Sequence, residues 1–150
     1  MGMYWWTELF YGRLISVDSV ARLKAAGEDV NVINAYLHTF ADDAGRCILR
    51  PPGCLVRIGS MDPVLDEGDS ANGFVSWEDL HRATRNVPGL IDAVERGPTA
   101  HEAATLGRLL RLAATNEALD TECMPGVYIC EARWDTYGPG CHVTKNIRVR

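Results

Sequence analysis

The chain has 150 residues, 47% of them hydrophobic and 23% charged, with a net charge of −5, the size and composition of one globular domain spanning residues 1–150. The acidic balance argues against a nucleic-acid partner, which calls for a basic face, and no apolar run reaches the ~20 residues of a membrane span. Five cysteines, an odd number, and an N-terminus without a basic leader region predict reduced thiols in a cytoplasm.

In chain order, residues 3–17 (MYWWTELFYGRLISV) are rich in aromatic and β-branched residues. They read as one strand, or as two bent at Gly12. Helix one follows, capped by Ser16 or Asp18, with Val20 and Leu23 inward and Gly27 as its stop. Helix two is expected from Asp29 to Ala44, on the spacing of Ile33, Tyr36, Leu37, Phe40 and Ala44. Residues 46–59 read as two short strands around Pro51-Pro52-Gly53, because proline cannot donate to a ladder. The stretch from Ser60 to Gly73 has no periodicity and reads as a long loop.

Ser76 opens a third helix, reaching about Asn86, and Pro88 starts a short fourth that runs through Glu95, with Gly97 behind it. The fifth carries a capping box, Thr99 with Glu102, and an apolar face of Ala103, Leu106, Leu110 and Ala113, widened by Leu109 and Leu112. The segments 126–134 and 141–149 alternate and form a C-terminal hairpin through the turn at Tyr137-Gly138-Pro139-Gly140. This order is not strict β/α alternation. It predicts an α+β domain with a mixed or mainly antiparallel sheet and about five helices on one face.

Charge is unevenly spread. No Lys or Arg lies between Arg57 and Arg82, whereas Asp62, Asp66, Glu67, Asp69, Glu78 and Asp79 are acidic. Such a segment suits docking of a basic protein surface, since a focused field raises the encounter rate. At the N-terminus, Trp5 and Trp6 point to opposite faces of a strand. An exposed aromatic beside acidic residues makes an anchor for a partner.

The stretch NGFVSWEDL, residues 72–80, resembles the end of an EF-hand calcium loop over about a dozen residues. With Gly73 as the sixth loop position, Asn72 is the fifth, Val75 the eighth and Asp79 the twelfth. Gly68 then falls at the first position, where a carboxylate is required. The same letters also describe a turn and a helix start, with Ser76 as N-cap and Asp79 completing a variant capping box.

Other chemistry is sparsely signalled. Cys123, Cys130, Cys141 and His142 lack the close cysteine pairs of structural zinc sites. Any of the five cysteines could meet His38, His81, His101 or His142 in a nucleophilic pair, but no local signature marks one. P-loop, dinucleotide-binding, nucleophile-elbow and zinc-protease motifs are missing. No catalytic residue, metal ligand or cofactor is assigned. Toxin-immunity proteins and phage-encoded inhibitors share this general character: small, acidic and without catalytic motifs. The expectation is a non-catalytic cytoplasmic binding protein that inhibits or neutralises a protein partner with a basic surface. Asp62, Asp66, Glu67, Asp69, Trp5 and Trp6 would make the contact. The alternatives are a small enzyme with a Cys/His site assembled in the fold, and a calcium-responsive module using loop 68–79. Oligomeric state is not read from the sequence.

Overall fold

The computed structural model describes residues 3–38, 46–60, 64–65, 73–84, 88–114, 125–135 and 141–150. Its frame is β1 (Met3–Ile15), a single 13-residue strand that continues through Gly12. β6 (Gly126–Asp135) pairs antiparallel with β1 from Met3 to Gly12, and β7 (Cys141–Val149) pairs antiparallel with β6, with a bulge at Glu131/Ala132.

Two shorter strands also lie antiparallel to β1, end to end. β4 (Leu55–Ser60) pairs with Trp5 to Phe10, and β3 (Cys47–Leu49) pairs with Arg13 to Ile15. From Arg13 to Phe10 on β1 is three steps, matched by six from Leu49 to Leu55. The three extra residues are the length of Pro51-Pro52-Gly53. The two strands around this turn thus pair with β1 and not with each other. β2 (Leu37–His38) flanks β3, and β5 (Phe74–Val75) adds to β7 in the one parallel pairing described. The result is a seven-stranded, mostly antiparallel mixed sheet in a single α+β domain, with five helices described.

Local signals set the helix ends. Ser16 caps α1 (Val17–Ala25), Asp29 caps α2 (Val30–Tyr36) and Ser76 caps α3 (Trp77–Ala83). α4 (Pro88–Arg96) begins on its proline. Thr99 and Glu102 close both bonds of the capping box on α5 (Ala100–Ala113). Each cap satisfies an orphan N–H and is worth about 1 kcal/mol.

Helix two is shorter than its apolar spacing predicts. It ends at Tyr36, because Leu37 turns extended and pairs with Leu49; residues 39–45 of the expected helix lie outside those described. Leu112 on α5 is exposed and does not widen the buried face, where Thr105 lies instead.

Strand alternation sorts the core. Apolar odd-numbered residues of β1 face the helices: Leu9 packs with Leu80 of α3 and with Ile91 and Val94 of α4, and Ile15 packs with Leu23, Ile33, Leu106 and Leu109. Even-numbered residues Trp6, Phe10 and Leu14 face the other way, onto Ile48, Tyr128, Cys130 and Ala132, all strand residues. Helices therefore cover one face, and strand side chains pack against one another on the other.

That second face is closed by a bend. His38 pairs with Ile48, which pairs with Leu14. Leu14 is six residues from Glu8, roughly 20 Å along a flat strand. Yet His38 Nε2 lies 3.6 Å from Glu8 Oε1, so the sheet curls toward its helix-free face. Gly12, at φ +143°, lies between the two points. A Cβ there would overlap the Leu49 carbonyl oxygen and stand 2.9 Å from Arg50 Cα. Gly12→Ala is expected to destabilise the protein by about 3 kcal/mol, read from urea unfolding, because it adds both a clash and a disfavoured backbone angle.

Candidate functional site

Two carboxylates lie in the middle of the sheet, one on each face. Glu8 on β1 shares the inner face with Trp6 and Phe10. Glu131 on β6 pairs with Thr7, on the helix side. Their side chains are almost wholly buried, Glu8 at 0% and Glu131 at 1% exposure. A buried carboxylate is costly unless charged donors or several hydrogen bonds hold it.

Arg57 holds Glu8. Its Nε and Nη2 both donate to Glu8 Oε1, at 3.1 and 2.6 Å. The fork of a guanidinium commonly engages both carboxylate oxygens. Here both nitrogens meet one oxygen, and Oε2 has no hydrogen-bond partner among the described residues. His38 approaches the same Oε1 from β2. Arg57 also lies over the Trp6 ring, its Cζ 5.5 Å from the centroid. Nearby, Arg13 donates to the Tyr128 hydroxyl at 2.7 Å. This cluster ties β1, β2 and β4 together. Burial pulls the Arg50 guanidinium below its usual range, and the charge of Glu8 opposes that shift.

Glu131 does a different job. Its Oε1 accepts from the Leu65 backbone N–H at 2.7 Å. Leu65 is 1% exposed and sits in the core with Ile58, Val75 and Leu80. The described residues within and around the acidic sequence are thus held to the body at three points. β4 holds its start, Glu131 and the core hold Leu65, and the pairing of β5 with β7 holds its end. Asp62, Asp66, Glu67 and Asp69 lie between these points, outside the described residues.

The two tryptophans divide as alternation requires. Trp6 is 6% exposed on the inner face, which takes it off the surface, whereas Trp5 is half-buried. Neither buried carboxylate was marked by a motif. The available signal was a charge set among apolar neighbours of the same parity, Trp6-Glu8-Phe10 and Ile129-Glu131.

The described half of the EF-hand-like loop is used by the fold. Gly73 takes φ +74°, Val75 pairs with Val149, and Ser76 Oγ accepts from the Asp79 N–H. The Asp79 carboxylate meets Arg82 at 3.0 Å. Gly68, Ser70 and Asn72 are outside the described residues. Among the described residues no group of three His, Cys, Asp or Glu side chains is placed to hold a metal.

Free cysteines are described at Cys47, Cys54 and Cys130. Burial pushes the Cys54 thiol up, and Glu102 adds to the shift while Arg50 opposes it. A thiol so placed is a poor nucleophile. His81 lies 3.7 Å from Glu95, and His101 is exposed on α5. Cys123 and the side chains of Cys141 and His142 are outside the description. No protein-family model, curated protein or solved structure matches the chain, so its function is argued from its own residues.

Two outcomes are expected. Arg57→Met leaves Glu8 buried without its cation and lowers stability by about 3 kcal/mol, while Glu8→Gln/Arg57→Met recovers part of that loss in urea titrations. Because the Cys54 proton is held more tightly in the folded chain, its contribution to stability is full below the unfolded thiol's pKa, about 8.5. It is lost as pH rises through the higher folded value. Thermal unfolding from pH 7 to 10 should therefore show a falling midpoint at the alkaline end, reduced in Cys54→Ala.

Proposed function

We propose that the chain is a non-catalytic protein-binding domain that inhibits or neutralises a partner through the partner's basic surface. The observation that carries this reading is the anchoring of Leu65, within the acidic sequence, to the body. A segment bearing Asp62, Asp66, Glu67 and Asp69 follows directly on β4, is tied at Leu65 to a buried carboxylate, and returns into the sheet at β5. Holding a binding segment to a rigid body lowers the ordering cost of association. Its charge would steer a basic partner and set the register of the complex.

The remaining chemistry fits this reading. The Cys54 thiol is shifted away from reactivity. Glu102 is engaged as a cap and Glu8 as a partner of Arg57. Free thiols suit a cytoplasmic setting.

Affinity capture from the native host lysate tests it, with the triple variant Asp66→Lys, Glu67→Lys, Asp69→Lys beside the wild type. One basic protein recovered in near-equal amount is expected. The variant should bind about ten-fold more weakly, or worse, with a flatter salt dependence. Capture unchanged by the reversal removes the acidic segment from the reading.

A further inference from the structure

One row of paired residues crosses four strands of the sheet. Phe10 of β1 pairs with Tyr128 of β6, Tyr128 with Arg148 of β7, and Arg148 with Phe74 of β5. Directly paired residues share a face, and Phe10 and Tyr128 place the row on the helix-free one. Burial falls along it. Phe10 and Tyr128 are buried, Arg148 is half-buried and Phe74 is exposed.

Three guanidiniums gather on this row. Arg13 lies over the Tyr128 ring, its Cζ 5.6 Å from the centroid, and donates to the hydroxyl. Arg148 lies against Gly126, where a Cβ would stand 3.0 Å from its Nε. Gly126 is two residues from Tyr128 and so on the same face. Arg150 covers the Phe74 ring, with Cζ 3.7 Å from the centroid. Rings and bare backbone thus hold all three. Arg57, Arg82 and Arg108 each meet a carboxylate. Among the described residues, Arg13, Arg148 and Arg150 meet none. The chain has 20 acidic residues against 15 Lys and Arg, so the lack of a counter-charge here is not a shortage of acids. Like charges brought together repel, and an anion shared among them removes that cost.

We propose that this row binds a ligand carrying two or three linked phosphates. Guanidinium forks match phosphate oxygens and keep their charge at neutral pH. An oligophosphate brings several negative charges and is long enough to meet more than one fork. At the exposed end, the Phe74–Arg150 stack offers a flat surface to a base, where the phosphates belong to a nucleotide. The site is separate from the acidic sequence and does not depend on the partner-binding reading.

Calorimetric titration of the full chain at low salt tests it, with tripolyphosphate and ATP as probes. Tripolyphosphate should bind with a Kd below about 1 mM, more weakly as salt is raised. Arg148→Gln/Arg150→Gln should weaken it about ten-fold or more at an unchanged urea midpoint. Should that variant lose stability, Arg148→Lys carries the test: it keeps the charge, loses the fork and should still bind less well. Arg108→Gln removes a cation that is paired with Glu28 and should change nothing.

Tighter binding of ATP, with the gain lost in Phe74→Ala, supports a nucleotide as the source of the phosphates. Equal binding of both probes supports a bare oligophosphate. No heat from either probe up to about 10 mM overturns the site. So does an affinity unchanged in the folded arginine variants, or lowered as much by Arg108→Gln.

Discussion

The architecture depends on one strand being paired along both edges while bending at a single residue. β1 meets β6 on one side and β3 with β4 on the other. Its thirteen residues cannot lie flat, because His38 at the far end of the sheet reaches Glu8 near its middle. The bend falls at Gly12, where the Leu49–Arg50 backbone comes too close for any side chain. From this follow the two faces. The convex side gathers all five described helices, and the closed side fills with Trp6, Phe10, Leu14 and Tyr128. A closed face of this kind keeps large side chains dry without a covering helix.

What the sequence makes legible is what depends on near neighbours. Ser16, Ser76 and Thr99 announce their helices because a cap bonds a backbone group two or three residues away. The period-two pattern of 126–134 and 141–149 marks a hairpin for the same reason. Elements whose partners are distant in sequence were hidden or misjudged. Leu37 fits a helical stripe, yet its backbone completes a pairing with Leu49. Phe74-Val75, between the loop that ends at Gly73 and the helix that opens at Ser76, is assigned no strand, because its partner is Arg148-Val149 at the other end of the chain. The Pro51-Pro52-Gly53 turn was plain, but nothing local says that both flanking strands serve the same neighbour. Of the proposed contact residues, alternation correctly divides Trp5 from Trp6, while Asp62, Asp66, Glu67 and Asp69 are visible as charge alone.

The buried carboxylates show how burial and charge were reconciled. An acidic chain gains nothing from placing more negative charge in its core, and Glu8 keeps one oxygen without a donor among the described residues. An apolar residue there would avoid the desolvation cost. What Glu8 provides is specificity: it binds Arg57 of β4 and receives His38 of β2, so it favours the one curvature that brings them together. Glu131 provides position. Its oxygen meets a backbone N–H, a bond that does not depend on the side chain at 65, and the apolar Leu65 side chain holds the same point from the core side.

Both carboxylates therefore act on the same neighbourhood from opposite faces. Glu8 fixes β4 through Arg57, and Glu131 fixes the segment that follows β4 through Leu65. That convergence supports the binding role proposed above: both carboxylates are used to hold backbone and strands in place. A binding surface gains from a rigid body that carries its charged sequence. One fixed point, Arg57, lies within β4, and the other, Leu65, follows it in the chain. The ion pair that closes the inner face is made by a guanidinium that stays exposed at the rim of the sheet, so Arg57 both holds the buried carboxylate and keeps a charge on its edge strand.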